Sequence, residues 1–236
     1  TAALGDLKRL AGDRDEAAQF YAKAAAVAEK LSASALMARA ALGRGLSALA
    51  QGRGEEAREA LARAAEALRQ EDPSGLLGEV LVAAAEARLL SGEVDEAATL
   101  VRRLSPGEGQ LERPVRAGFH RLAALLALAQ GEFGSAQRHF RTASRGFEAL
   151  RDEGALAELN LRYAEAGALA VRDTAVRMRL EAPHLLKESQ ERFTRWGLPR
   201  DAERAQQAAS RAQEALAGTT QSVKVERDNL VFLQEV

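Results

Sequence analysis

The chain has 236 residues, of which 47% are hydrophobic, 28% charged and only 4% aromatic. This composition is too apolar for a disordered chain, and its alanine and leucine content favours closely packed helices over strands. A formal charge of −1 gives no reason to expect a polyanion as the main partner, and the absence of cysteine excludes disulfides and thiolate metal sites. No run of eighteen apolar residues lacks a charge, so the sequence predicts no membrane span, and we expect a cytoplasmic protein.

One phrase recurs along the chain at spacings of 40, 40 and 39 residues. It consists of a glycine, a polar turn and an alanine that follows the glycine by five residues. Its four copies are Gly12–Ala17, Gly52–Ala57, Gly92–Ala97 and Gly131–Ala136. A fixed period of this length is typical of an array of helix-turn-helix units.

Each part of the phrase has a physical role. The glycine ends a first helix, called helix A, in a conformation with positive φ. Acidic residues that follow, such as Asp15 and Glu16, favour the start of a second helix, called helix B, because the helix dipole is positive there. The alanine is small because helix B crosses helix A closely at that point, and apolar residues such as Tyr21 follow at helical spacing.

In chain order the pattern predicts five helix pairs and a capping helix. The predicted repeats cover residues 1–32, 35–70, 76–105, 113–150 and 153–197, with loops at 70–75 and 105–109 and a capping helix over 199–217. No such pair buries its apolar face alone, so the pairs must stack as an all-α solenoid. Because the chain opens in the middle of a repeat, we expect it to be a piece of a longer protein.

The fifth repeat and the tail depart from the pattern. Ala170 stands where the turn glycine is expected, and Pro183 interrupts the second half, so we expect short helices from about Thr174 and from Pro183 to Trp196. Residues 218–236 are a linker that begins as polar coil and ends in a helix over 229–236. This tail places apolar residues at near-heptad spacing, which suits either a dimerising signalling helix or a frayed end. They are Val223, Leu230 and Leu233.

The chain resembles a tetratricopeptide repeat array. The first repeat carries the family's pattern as Leu4-Gly5, Gly12-Asp13, Glu16-Ala17 and Tyr21-x-x-Ala24. The usual aromatic early in helix A is missing, and the period exceeds the family's 34 residues. These departures resemble the lengthened variant found in large bacterial signalling and transcription regulators. The resemblance covers roughly residues 1–217 and implies a right-handed superhelix.

Two further segments resemble parts of the same regulators. Residues 191–201 resemble the phrase that closes their last repeat, and residues 229–236 resemble the helix that leads into a GAF sensor domain. The resemblance to these regulators implies a regulatory module that couples a partner, or another domain of the same chain, to a signalling output.

The resemblance also implies a binding surface, because the A helices of the family line the concave face of the superhelix. A protein, an extended or helical peptide, or a neighbouring domain would suit the mixture of apolar and charged groups there. Aligned on the turn glycines, the implied partner-binding positions are Arg39, Leu42, Leu46, Leu49, Glu79, Val82, Glu86, Arg121, Leu125 and Leu128.

A second candidate surface and two other functions stay open. Arg138, Arg141 and Arg145 share one face of a helix B, which suits either an acidic peptide or simple solvation. The array is alternatively a small-molecule sensor, or a structural spacer that dimerises through its tail. We expect neither direct nucleic-acid binding nor membrane binding, since no aromatic residues are interleaved with the arginines.

No motif predicts catalysis, a metal or a cofactor. Gly43-x-Gly45 matches a dinucleotide fingerprint, but its surroundings are helical in period, so close helix packing is the better interpretation. His120, His139 and His184 fall on different predicted helices without the paired spacing of a zinc site. We therefore expect a protein that is not an enzyme.

Overall fold

The computed structural model of the chain describes residues 1–69, 76–168 and 176–234. Within these ranges the chain is helical and contains no strand, so the prediction of an all-α fold is confirmed for this part. The helices are α1 (Ala2–Leu10), α2 (Arg14–Lys30), α3 (Ser34–Ala50), α4 (Gly54–Ala67), α5 (Leu77–Leu90), α6 (Val94–Leu104), α7 (Arg113–Ala129), α8 (Phe133–Leu150), α9 (Glu153–Ala168), α10 (Val176–Arg195) and α11 (Pro199–Gln234).

Five of these helices end at a glycine in the left-handed conformation. The glycines, with φ between 67° and 82°, are Gly12, Gly52, Gly92, Gly131 and Gly197. The amide of the residue after each glycine donates to a carbonyl five residues back, as Asp13 donates to Lys8 at 2.9 Å. The first four glycines therefore have the predicted role, and Gly197 ends α10 in the same way.

The alanine that follows each predicted turn glycine by five residues lies in the contact between helices. Ala17, Ala57, Ala97 and Ala136 have no exposed surface. A larger side chain at these positions would push the crossing helices apart, because the interior is already close-packed. The predicted role of these alanines is confirmed.

Two glycines within α3 mark another close approach. A Cβ at Gly43 would lie 2.1 Å from Cε1 of Tyr21, and a Cβ at Gly45 would lie 2.6 Å from Cγ of Leu61. Tyr21 belongs to α2 and Leu61 to α4, so the glycines make room for the neighbouring helices. Close helix packing, and not a strand-to-helix turn for a pyrophosphate, explains this pair of glycines.

The helices contact one another in a regular order. Each helix contacts the next one in the chain, and the odd-numbered helices also contact each other in the series α1, α3, α5, α7, α9 and α11. The buried apolar residues form several clusters along this series, each of which joins neighbouring pairs. The odd-numbered helices, which are the predicted A helices together with α11, therefore form one row against which the even-numbered helices pack.

The structure corrects the prediction for the fifth pair. A single helix, α10, passes through Pro183, where two short helices were expected. Proline removes one backbone hydrogen bond and strains the preceding turn. Ala182 and Leu186, on either side of it, are fully buried against Ala157 and Leu161 of α9, and this packing holds the helix together. Ala170 and Thr174 lie outside the described residues.

The predicted boundaries of the tail are also wrong. Helix α11 continues from Pro199 to Gln234, where the sequence suggested an end at 217 and a polar coil. Gly218, Thr219 and Thr220 disfavour a helix by only about 1 kcal/mol or less each, which does not interrupt one that is already formed. The contacts of Val223, Leu230 and Leu233 lie outside what the structure describes.

The two predicted loops have different outcomes. Residues Ser105–Gln110 form a 3-10 helix between α6 and α7, with Pro106 near its start, where proline lacks only an amide that needs no partner. The predicted loop at 70–75 lies outside the described residues.

Candidate binding surfaces

The ten predicted concave positions lie on α3, α5 and α7, but they do not form one accessible surface. Leu42, Leu49, Val82 and Glu86 are buried. Five more are half-buried, namely Leu46, Glu79, Arg121, Leu125 and Leu128. The side chain of Arg39 is 44% exposed. A partner that meets this side of the chain therefore reaches only part of the predicted set.

The buried apolar members of the set are used inside the array. Leu42 and Leu49 pack in the cluster that contains Leu61 of α4. Val82 packs against Phe119 of α7 in a second cluster. Burying each of these side chains contributes about 1.5–3 kcal/mol to the stability of the fold. To contact a partner they would have to leave the interior, and that stabilisation would be lost.

Glu86 is the centre of a buried ionic contact. Its carboxylate accepts a hydrogen bond from Arg121 of α7 at 2.7 Å and another from Arg162 of α9 at 2.6 Å. Burial alone would raise the pKa of Glu86, but the charges of the two arginines hold that pKa below its ordinary value. Glu86 is therefore an ionised group that ties three A helices together.

Arg162 extends this contact to a fourth helix. Its guanidinium donates to Glu158 on its own helix at 2.5 Å and to the carbonyl of Leu49, at the end of α3, at 3.2 Å. Burial opposes its charge, yet Glu158 and Glu86 outweigh the burial and raise the pKa of Arg162. Since Leu49 and Arg162 are 113 residues apart in sequence, this hydrogen bond crosses from the second repeat to the fifth.

The ion pairs continue to the last helix and back to the first repeat. Arg204 of α11 donates to Glu158 at 2.9 Å, and it lies 3.7 Å from Asp201. Asp201 in turn accepts two hydrogen bonds from Arg14 of α2, at 2.7 and 2.8 Å. We call this set the inner ion-pair chain; its members are Glu86, Arg121, Arg162, Glu158, Arg204, Asp201 and Arg14.

Electrostatics within the inner ion-pair chain favour the charged forms. Burial raises the pKa of Glu158, but Arg162 and Arg204 outweigh it and lower that pKa to about 2. Asp201 is almost fully buried, so its two hydrogen bonds from Arg14 replace water that the carboxylate would otherwise need. The inner ion-pair chain therefore reaches Arg14, which follows the Gly12 turn, and Asp201, which follows the Gly197 turn.

A polar cleft lies where these two turns meet. It has a volume of about 480 Å³ and is lined by residues 11–16 and 197–201. Asp13, Asp15, Glu16 and Arg200 add charged groups to the Arg14–Asp201 pair at its wall. A site of this chemistry would suit the small-molecule sensing hypothesis, which stays a prediction.

A second, more exposed charged cluster lies on α1, α3 and α5. Arg39 donates to Asp6 at 3.0 Å, and the hydroxyl of Tyr21 donates to the same carboxylate at 2.8 Å. Burial, and then the hydrogen bond to Asp6, raise the pKa of Tyr21 to about 12. Burial also raises the pKa of Glu79, on which Arg39 acts in the opposite direction. Of the charged concave positions, Arg39 is the most exposed and Glu79 is half-buried.

The three arginines of the second predicted surface are all open to solvent. Arg138, Arg141 and Arg145 lie on α8 and are exposed, and none of them has an ion pair among the described residues. At i, i+3 and i+7 they share one face of the helix. We call these three residues the basic stripe.

Two histidines that the sequence placed on different helices meet in the structure. Nδ1 of His120 on α7 lies 3.0 Å from Nδ1 of His139 on α8, and Nε2 of His120 lies 3.0 Å from Oε1 of Glu108. The sequence did not predict this contact, which arises because the antiparallel pairing of α7 and α8 about Gly131 brings the two histidines together. His184 is exposed and lies 3.6 Å from Glu188.

The geometry of the two histidines is that of a hydrogen bond. The ring centroids are 5.3 Å apart, and the two Nδ1 atoms are 3.0 Å apart. The centroid distance is close to the sum of the distance between the nitrogens and the two ring radii, so both nitrogens lie near the line that joins the rings and face each other. One Nδ1 must then carry the proton that the other accepts. Burial, and then His120 and Arg138, lower the pKa of His139. Among the described residues, no group of three or more His, Asp or Glu is arranged to hold a metal ion.

Comparison with known proteins finds no family model and no curated protein that matches the chain. In the part of the chain that the structure describes, no helix is both long enough and apolar enough to cross a bilayer.

Proposed function

We propose that the five helix pairs and α11 form a right-handed superhelical solenoid of lengthened tetratricopeptide-like repeats. The 40-residue period, the glycine turns and the contacts along the row of odd-numbered helices support this arrangement. The resemblance to bacterial signalling and transcription regulators supports a place in a larger cytoplasmic protein of that kind.

We propose further that the function of the chain is to bind a protein partner, or a neighbouring domain, and that it is not an enzyme. The basic stripe carries this proposal, since its three exposed guanidinium groups have no acidic partner among the described residues. Most arginines that lie between helices are paired, as Arg162 and Arg204 are. Unpaired guanidinium groups on one helix face suit an acidic segment, whose carboxylates they can bind in a bidentate manner.

The predicted concave positions support the proposal less directly. Arg121 and Glu86 are engaged with each other, so a charge reversal there would disturb folding and binding together. Arg39 and Glu79 remain open enough for a partner that also enters the concave side. The basic stripe is the surface on which binding is tested without disturbing the inner ion-pair chain.

Binding of an acidic probe tests the proposal. We expect a fluorescein-labelled glutamate-rich peptide to bind at physiological salt, where surface charges act only over short distances. Reversal of charge at Arg138, Arg141 and Arg145 together, each Arg→Glu, is expected to weaken binding at least about tenfold in fluorescence anisotropy.

A matched triple reversal controls for net charge. Arg102, Arg103 and Arg195 are also exposed and have no ion pair among the described residues. Changing all three to Glu alters the net charge equally and should leave most of the affinity. Equal losses in both triple variants would show a general charge effect and contradict a site on the basic stripe, as would full binding by the first variant.

A further inference from the structure

The first helix of the array presents apolar residues to solvent on one face. Ala3, Leu4 and Leu7 precede the turn glycine Gly12 by nine, eight and five residues. All three are exposed, Leu4 to 50% and Leu7 to 66%. We call these three residues the α1 face.

In α5 and α7 all three of the same positions are buried. In α5 they are Ala83, Ala84 and Ala87. In α7 they are Leu122, Ala123 and Leu126. Since the offsets from the turn glycine are equal, the difference lies in what covers each helix and not in the helix itself.

The preceding repeat provides the cover in each case. Ala83, Ala84 and Ala87 pack in one cluster with Leu42 and Leu61 of the repeat before them. Leu126 packs against Ala97 and Ala98 of α6, again from the preceding repeat. In α3, Gly43 lies beneath Tyr21 of α2. The α1 face thus continues a series of interfaces in which a preceding helix pair covers these positions.

We propose that the α1 face is the seat of a further helical hairpin of the same repeat type, which stacks on α1 as each described pair stacks on the next. Its helix B presents a large apolar side chain to Ala3 and small side chains to Leu4 and Leu7. The large side chain is of the size of Leu61, which packs with Ala83 in the cluster that joins the second and third repeats. A tyrosine does not fit, because Tyr21 leaves no space for a Cβ at the equivalent Gly43.

A chain that carries one more hairpin tests the proposal. Residues 34–80 are joined directly to Thr1, which keeps the 40-residue register and brings a second copy of Leu61 over Ala3. We expect the melting temperature to rise by roughly 5–10 °C, because Leu4 and Leu7 leave water. We also expect the amides of α1 to exchange their hydrogens more slowly, as measured by mass spectrometry.

Two pairs of substitutions distinguish packing of the added hairpin on the α1 face from a general change in stability. Leu4→Glu with Leu7→Glu should remove the gain in the extended chain and leave the melting temperature of the original chain almost unchanged. Leu36→Glu with Leu90→Glu, made at exposed leucines of the original α3 and α5, should leave the gain intact.

Three results would overturn the proposal. One is an extended chain that gains no stability and whose α1 amides exchange as before. Another is a gain that the Leu36 and Leu90 substitutions abolish equally. A third is self-association of the original chain in analytical ultracentrifugation that Leu4→Glu with Leu7→Glu abolishes, since a second copy would then be the occupant.

Discussion

At the ends of α2 and α8, a residue other than glycine adopts the left-handed backbone conformation that glycine prefers. Ser32 and Arg151 have φ of 50° and 54°, and the amides that follow them make the same backward hydrogen bonds as those at the glycine turns. A Cβ makes this region unfavourable by about 1 kcal/mol, whereas glycine adopts it freely. Two turns between predicted repeats therefore carry this strain, whereas glycine relieves it at the turns within the first four repeats.

Arg151→Gly is expected to stabilise the protein by about 1 kcal/mol, because it removes the strain at an exposed position. Gly52→Ala is the matched opposite, since a Cβ there has no atom within 4 Å and only the backbone conformation opposes it. We expect that change to cost about 1 kcal/mol. Urea denaturation measures both, and an unchanged midpoint for either variant would contradict the argument.

At the scale of the element, the α7–α8 hairpin holds a proton-dependent contact. Oε1 of Glu108, in the 3-10 helix, lies 3.0 Å from Nε2 of His120, whose Nδ1 faces His139. The contact between the two Nδ1 atoms needs one of them without a proton, since two N–H groups would repel each other at 3.0 Å. Burial, and then His120 and Arg138, disfavour a positive charge on His139.

The lowered pKa of His139 sets the direction of the pH dependence. The folded protein prefers neutral His139, whereas the unfolded chain protonates it near its ordinary pKa of 6.5. Its contribution to stability is therefore complete above pH 6.5 and is lost as the pH falls below that value. The free energy of unfolding should decrease more between pH 7.5 and 5.5 in the original protein than in His139→Gln. Equal decreases would show that the histidine pair does not titrate in this way.

At the scale of the whole molecule, the inner ion-pair chain joins repeats that are distant in sequence. Glu86 lies 76 residues from Arg162, and Arg14 lies 187 residues from Asp201. Repeat arrays are otherwise held by contacts between neighbours. These ion pairs add cross-links between the predicted third and fifth repeats and between residues near the Gly12 and Gly197 turns, so we expect unfolding to be more cooperative than in an array held by neighbours alone.

Glu86→Gln is expected to destabilise the protein by about 3 kcal/mol, because it leaves the buried charges of Arg121 and Arg162 without their shared partner. Glu59→Gln is the matched control, since Glu59 pairs with Arg63 on the surface at 3.8 Å, and about 0.5 kcal/mol or less should be lost. Chemical denaturation at neutral pH gives both values, and similar losses would contradict the importance of the inner contact.

The same acids explain the expected loss of stability in acid. Glu86 and Glu158 have lowered pKa values, about 2 for Glu158. The contribution of both is complete above their ordinary pKa of 4.5 and is lost as the pH falls below it, for Glu158 as the pH approaches 2. In Glu86→Gln the stability should therefore depend less on pH in this range than in the original protein.

Most helix ends and close helix crossings could be predicted from the amino-acid pattern alone. Gly12 and Gly52 marked turns because φ is a local property of the backbone, and Ala17 and Ala57 marked crossings because size limits how closely helices approach. These signals recur every forty residues, so a single chain displayed them several times. The basic stripe could also be predicted, because three arginines at helical spacing lie on one face of any helix.

Which residues remain available to a partner depends on packing between helices that are distant in sequence. Leu42 and Glu86 were expected on an open concave face, yet packing buries the first and two arginines from later repeats engage the second. The pairing of His120 with His139, and the passage of α10 through Pro183, depend likewise on contacts between helices. Period and propensity act within a few turns, whereas burial and ion pairing depend on how helices that are distant in sequence pack against one another.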